Sequence, residues 1–202
     1  ELVSSLLLCN TPITELPEGL KEVYGELDIS NTKVSKLNDN LVVHYNLHLD
    51  NTPIEELPEG LIVSNYLNIC DTKLKDYSIL HKVCTKFTVD EKKYEEIKDS
   101  LVKHEISYGS GDIVFVIFEP NYKGAYLFEN ENGKYIKADN IFGKIVEQKG
   151  NVYHIDIYGE INYLVTDGEG HWSHGETLDE AKEDLLYKIT DRDKSDYESL
   201  TL

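Results

Sequence analysis

The chain has 202 residues, 38 Asp and Glu against 20 Lys and Arg, and a formal net charge of −18. That field repels phosphate backbones and anionic membrane surfaces, so direct nucleic-acid and membrane partners are set aside and a basic protein partner is favoured. Both halves carry it: residues 1–80 hold 5 Lys and 13 Asp and Glu, and the remainder 15 basic and 25 acidic residues, enough chain for one large domain or two small ones.

Four lines near the start repeat one pattern: LLLCNTPITELPEGL (6–20), LDISNTKVSKLNDNL (27–41), LHLDNTPIEELPEGL (47–61) and LNICDTKLKDYSIL (67–80). Thr11, Thr32, Thr52 and Thr72 follow one another at 21, 20 and 20 residues. A fixed period in the twenties predicts a solenoid, whose coils bury their apolar faces only by stacking on neighbours. Each line opens with apolar residues two apart (Leu6/Leu8, Leu27/Ile29, Leu47/Leu49, Leu67/Ile69), the spacing of a short strand with one buried face. Further columns follow as Ile13/Val34/Ile54/Leu74 and Leu16/Leu37/Leu57/Tyr77. The Thr column is placed to satisfy loop backbone groups inside each coil. Pro17-Glu18-Gly19 and Pro58-Glu59-Gly60 are turn chemistry.

Cysteines number three, Cys9, Cys70 and Cys84. Cys9 and Cys70 share a repeat position three coils apart, roughly 14 Å at the spacing of stacked strands and beyond disulfide reach. Reduced thiols, an odd count and the lack of a signal-peptide pattern imply an intracellular, cytoplasmic protein. No stretch is long and apolar enough to cross a membrane.

The pattern LxLxxTxIxxLPxxL resembles leucine-rich repeats, with Thr where many families place Asn. It is similar to the short LPEGL-type repeats of uncharacterised phage and gut-bacterial proteins. It also resembles the repeats of bacterial effector ubiquitin ligases, whose large helical catalytic domain has no room here. In such a solenoid the residues beside the strand leucines face outward on the concave sheet surface. Here these are Glu26, Asp28 and Ser30, then Asn46, His48 and Asp50, then Tyr66, Asn68 and Cys70. An acidic patch bearing a His and a Tyr suits a basic, partly aromatic partner surface. The expected binding residues are therefore Glu26, Asp28, Asn46, His48, Asp50, Tyr66 and Asn68.

After the repeats, Tyr94, Ile97 and Leu101 recur at three and four residues among Lys/Glu pairs, which predicts a helical spacer over 81–110. From Asp112 the period becomes two. Strands are predicted over 113–119 and 122–129, with a hairpin turn at Asn130-Glu131-Asn132-Gly133, and then over 141–148, 152–158 and 161–166. Thr177 and Glu180 are spaced as a capping box. Leu178, Ala181, Leu185 and Ile189 follow as one apolar helical stripe for packing on the sheet.

The segment DGEGHWSHGETLDEAKEDL, after a strand, resembles the core of HicB-type antitoxins through Gly175, Glu176, Thr177, Glu180 and Ala181. Over 152–190 the resemblance implies a reduced ribonuclease-H-like fold used for protein binding rather than catalysis. The short stretch after Ile189 departs from the family, whose members append a DNA-binding domain.

Three histidines, His154, His171 and His174, with Asp156 and Asp167, are candidates for a metal site. Two His three residues apart in a Gly-rich turn make a poor ligand signature beside HExxH. Gly109-Ser110-Gly111 lacks the Lys of a phosphate-binding loop.

The whole reads as an α+β chain: a leucine-rich-repeat solenoid over 1–80, the spacer over 81–110, and a small sheet-plus-helix domain over 111–202. The expected function is a non-enzymatic binding scaffold without cofactor, in a specific form a phage-type inhibitor that occupies a basic or nucleic-acid-binding host protein by acidic mimicry. Two alternatives stand beside it: an antitoxin-like module neutralising a small basic toxin, and a metal-dependent enzyme using His154, His171 and His174.

Overall fold

The computed structural model describes residues 4–190. They are mostly β, with fifteen strands and three helices among the described residues. The first of two compact units runs to Pro120 and includes Phe128–Lys134; the second comprises Asn121–Leu127 and the residues from Tyr135 onward. Among the described residues no helix is long and apolar enough to cross a membrane.

The first unit is a solenoid-like stack of coils. Strands β1 (Leu6–Leu7), β3 (Leu27–Asp28), β5 (Asn46–His48) and β6 (Ile62–Asn68) pair in parallel, with Leu6, Leu27, Leu47 and Leu67 in register. Leu27, Leu47, Leu67, Ile29 and Leu49 are buried as interior columns, as are Val34, Ile54 and Leu74 behind them. Leu6 and Leu8, in the first coil, are only half-buried.

Between strand and loop each coil makes the same sharp turn. Asn10, Asn31, Asn51 and Asp71 all have φ between 52° and 58°, a left-handed conformation that Asn and Asp tolerate better than other side chains. The following Thr closes the turn: Thr32, Thr52 and Thr72 donate their hydroxyls to the carbonyls of Ile29, Leu49 and Ile69 at 2.7, 2.6 and 2.9 Å. Thr11 does the same with Leu8. The loop turn ends on Gly19 and Gly60, both at positive φ, with Asn40 in the corresponding place of the second repeat.

Each coil also holds a second, two-residue strand that alternation in the sequence does not reveal. β2 (Glu22–Val23), β4 (Val42–Val43) and the start of β6 stack with Val23, Val43 and Val63 buried.

The stack runs one strand further than expected. The spacer predicted over 81–110 is helical only in α1 (Leu80–Val83), α2 (Glu91–Ile97) and a 3₁₀ turn at Lys98–Ser100. Residues Cys84–Asp90 instead form β7, parallel to β6, with Leu67 opposite Phe87 and Asn68 opposite Thr88. The physical reason is burial at both alternating sets of positions, Thr85, Phe87 and Val89 in one and Cys84 and Thr88 in the other, which lets the segment cover the open edge of the fourth coil. The Thr position of this coil is Lys92, so the repeat turn fails; Asp90 instead caps α2 by accepting the Lys93 amide at 2.8 Å. Tyr94 and Ile97 of that helix are buried against the stack.

β8 (His104–Tyr108) and β9 (Ile113–Phe118) complete the sheet, β9 antiparallel to β7 and β8 outside it. β9 was expected to open the C-terminal sheet. Its alternation matches β7, whose free edge it pairs, and Val114 and Val116 are fully buried in the first core.

The second sheet is an antiparallel meander of β10 (Tyr126–Asn130), β11 (Gly133–Ala138), β12 (Ile141–Lys149), β13 (Val152–Ile157), β14 (Glu160–Thr166) and β15 (Trp172–Gly175). The register of β12 against β13 shifts at a bulge between Ile145 and Glu147. Its core gathers Ile136, Ala138, Tyr153, Ile155, Leu164 and Trp172 with Ala125. The Trp172 indole donates to the Lys123 carbonyl at 2.8 Å, so its one polar atom is satisfied.

The closing helix α3 (Leu178–Ile189) opens on the expected capping box: Thr177 accepts the Glu180 amide at 3.2 Å, and Glu180 accepts the Thr177 amide at 3.1 Å. The stripe differs at its end. Ala181 is buried and Leu178 and Leu185 half-buried, but Ile189 is exposed. In the last turn it is the partly exposed Lys188 that reaches back to the sheet, donating to Asp139, Asp184 and the Trp172 carbonyl.

Candidate functional site

The strands of the first unit alternate, so each buried Leu or Ile leaves a neighbour on the opposite face. The structure places all seven expected residues there, half-buried. Asp28, His48 and Asn68 lie in register across β3, β5 and β6, and Asn46 lies opposite Tyr66. Ser30, also read as outward, is buried, its hydroxyl and amide both donating to Asp28 at 2.6 and 2.9 Å.

The side chains form a connected network. His48 meets Glu26 at 3.0 Å. Asn68 donates to Asp50 at 2.8 Å and accepts the Cys70 amide at 3.1 Å. Thr88 joins Asn68 at 3.1 Å and the Tyr66 hydroxyl at 2.6 Å. The Tyr66 ring lies between His48, with centroids 5.6 Å apart, and Phe115, 6.4 Å away. Thr88 and Phe115 were missed in the sequence reading. The signal for Thr88 was present, since Phe87 and Thr88 continue the 20-residue register of Leu67 and Asn68. Phe115 had no such signal, because it arrives from an antiparallel strand.

Neighbouring aspartates on this face have different electrostatic settings. Burial works to raise Asp28, but the Ser30 hydrogen bonds, with help from the Cys9 thiol and His48, outweigh it and hold the carboxyl below its usual range. Burial raises Asp50, and the like charges of Asp28 and Asp71 add to the rise against its own backbone hydrogen bond and His48. The hydrogen bond to Asp28 pushes the Cys9 thiol up, and burial does the same to Cys70. Neither is held as a reactive thiolate, and none of the three cysteines is in a disulfide among the described residues.

The histidines of the second unit are not gathered. His154 meets Glu147 at 3.1 Å and packs on Tyr163, His171 meets Asp167 at 2.6 Å, and His174 meets Asp139 at 2.6 Å. Asp156 accepts the Gly159 amide at 2.7 Å and so closes the β13–β14 turn. Among the described residues no three His, Cys, Asp or Glu side chains are grouped to hold a metal ion. The residues that do converge are Ser173, Asp139, Asp184 and Lys188. Ser173 is fully buried and donates to Asp184. Burial acts to lower Lys188, but hydrogen bonds to Asp139 and Asp184 outweigh it and keep the ammonium charged. The cluster ties α3 to β15 and to the β11–β12 turn.

No protein-family model, curated protein or solved structure matches the chain.

Proposed function

We propose that the protein is a non-enzymatic intracellular binding scaffold, that its stack is of the leucine-rich-repeat type, and that its outward strand face takes a basic protein partner. One observation carries this reading. The exposed carboxylates of the first unit either meet a lysine, as Glu55, Glu95, Glu96 and Glu119 do, or stand in solvent, as Glu56, Glu59 and Asp76 do, whereas those of the outward face are half-buried. On the face, Asp28 and Asp50 have no Lys or Arg ion pair among the described residues, and Glu26 has only His48. Lys86 stands on the same face only in the last coil. Carboxylates left without cations beside a half-buried Tyr66 suit a partner that brings a guanidinium or ammonium together with an apolar or aromatic group. In its specific form, with −18 of charge behind it, the protein occupies the nucleic-acid-binding surface of a host protein as an acidic mimic.

A second reading places recognition on the second unit, as an antitoxin-like module for a small basic toxin. The order of β14, an acidic Gly turn, β15 and a boxed helix favours it, as the HicB-like pattern would require.

An array of Arg- and Lys-rich peptides, with and without Tyr or Trp, tests the first reading. Asp28→Lys with Asp50→Lys should lower the on-rate at low salt at least about tenfold, while Glu176→Lys with Glu183→Lys, carrying the same charge change on the second unit, should leave it nearly unaltered. Equal loss in both pairs would reduce binding to net charge. Loss in the second pair alone would move recognition to the C-terminal unit.

A further inference from the structure

The first sheet ends at β8, whose only strand neighbour among the described residues is β9. His104, Ile106 and Tyr108 stand opposite Phe118, Val116 and Val114, and Glu105 and Ser107 opposite Ile117 and Phe115. The backbone phase follows from two bonds outside the ladder: Gly109 donates to the Ile113 carbonyl at 2.8 Å, and Glu119 to the Lys103 carbonyl at 3.4 Å. In an antiparallel pair, residues that exchange both bonds alternate with residues that exchange none. Residues 103, 105, 107 and 109 therefore direct their amides and carbonyls to β9. His104, Ile106 and Tyr108 direct theirs away from the sheet. On this open edge Ile106 is 38% and Tyr108 63% exposed, a combination that invites another strand.

We propose that a second copy of this chain pairs with that edge, β8 antiparallel to β8 about a two-fold axis at Ile106. The sequence His-Glu-Ile-Ser-Tyr has the same character in both directions: aromatic, polar, aliphatic, polar, aromatic. With the axis at Ile106, each Ile106 faces its own copy, His104 faces Tyr108 of the second copy, and Glu105 faces Ser107. The three outward backbones then exchange about six hydrogen bonds, and no like charges stand opposite. An axis at Glu105 would set two carboxylates face to face, and an axis at Ser107 would leave His104 opposite Ser110, beyond the strand. Only the Ile106 axis engages all five residues, the self-complementarity that a two-fold interface requires. His104 is already held for it, its ring bonded to the Val102 carbonyl at 2.7 Å and the Tyr94 hydroxyl at 3.1 Å.

Each copy carries a charge of −18, so added salt should strengthen this association. Binding of a basic partner has the opposite salt dependence. The edge does not involve Asp28, Asp50 or Tyr66, so the two interactions fail separately.

Sedimentation equilibrium of the full chain from about 1 μM to about 1 mM should show a monomer–dimer equilibrium. Ile106→Lys should weaken it at least about tenfold with the circular dichroism unaltered; if that variant unfolds, Tyr108→Lys carries the same expectation. Register is tested by oxidation under reversible conditions, with the unsubstituted chain as control for Cys9, Cys70 and Cys84. Two facing residues of a hydrogen-bonded pair have Cα atoms about 5.5 Å apart, within disulfide reach. Ile106→Cys should therefore crosslink to its copy faster than Ser107→Cys, which faces Glu105. A monomer across the whole range, a dimer indifferent to both lysine variants, or equal crosslinking at 106 and 107 overturns the proposal.

Discussion

The two units satisfy their buried polar groups in opposite ways. In the first, one solution is made and then copied: an Asn or Asp in the left-handed region, followed by a Thr whose hydroxyl closes on the carbonyl three residues back, in four successive coils. In the second, each solution is made once, some between segments far apart in sequence and some across a short loop. Lys188 reaches Asp139, Trp172 reaches Lys123, and Asn121 brackets Leu127 with both ends of its amide. A copied solution shares its load with its neighbours above and below. A single one stands or fails alone.

The sharpest test of that difference is a cavity in each core. Leu49 and Ile155 are both fully buried, and truncation of either to Ala should cost about 2–5 kcal/mol. For Leu49→Ala, hydrogen exchange should accelerate in the coils on both sides, since each coil is stable only by contact with the next. For Ile155→Ala the coils should keep their protection. Acceleration confined to the third repeat would break the picture of a cooperative stack.

The same contrast explains what the sequence disclosed. The interior columns, the Thr turns and the seven face residues were legible because the 20-residue period writes each of them several times. The strand at Cys84–Asp90 was hidden because the helical spacing of Tyr94 and Ile97 drew the whole stretch into one reading, although Phe87 and Val89 keep the period of Leu67 and Ile69. The two-residue strands at Glu22–Val23 and Val42–Val43 are too short to alternate. Phe115 reaches the face, and Asp139 reaches Lys188, through antiparallel pairing and long-range closure, for which a single sequence has no local mark. Ile189 was misplaced because a stripe at 181 and 185 can continue at either 188 or 189; it is Lys188 that reaches back to the sheet.

A smaller effect separates the units through their polar contacts. Thr52→Val keeps the shape and leaves the buried Leu49 carbonyl unpaired, at a cost of about 1–2 kcal/mol. Combined with Thr32→Val in the adjacent coil, the losses should depart from additivity by about 0.5 kcal/mol or more, measured by denaturant unfolding. Lys188→Met should cost less, about 1 kcal/mol, because the ammonium is partly solvated and Asp139 keeps its bond to His174. Strict additivity of the two Thr variants would mean that the ladder is a set of independent turns.

The smallest effects are electrostatic, and they bear on function. In the second unit Asp167 accepts the Glu169 amide, the His171 ring and the His171 amide, which hold its carboxyl down at about 2. A carboxyl whose folded pKa is depressed stabilises above its unfolded value of about 3.9, and that stability is lost as pH falls toward the folded value. Asp167→Asn should flatten the pH dependence of unfolding below about pH 4. Asp50 has the opposite sign. Its folded pKa is raised, so it is easiest to accommodate when protonated, and its ionisation opposes folding as pH rises through the folded value. Asp50→Asn should then slightly stabilise the chain at neutral pH, an outcome foreign to a residue kept for structure. A cation seated beside Asp50 would bring its pKa back down, so capture of a basic peptide should release protons on the acidic side of neutrality. Carboxyl-resolved NMR titration should find Asp167 lowest, Asp28 below the usual range and Asp50 above it. If Asp50 titrates below the usual range as Asp28 does, its carboxylate is already stabilised within the fold. The face then has no carboxylate waiting for a cation, and the argument for a basic partner loses its footing.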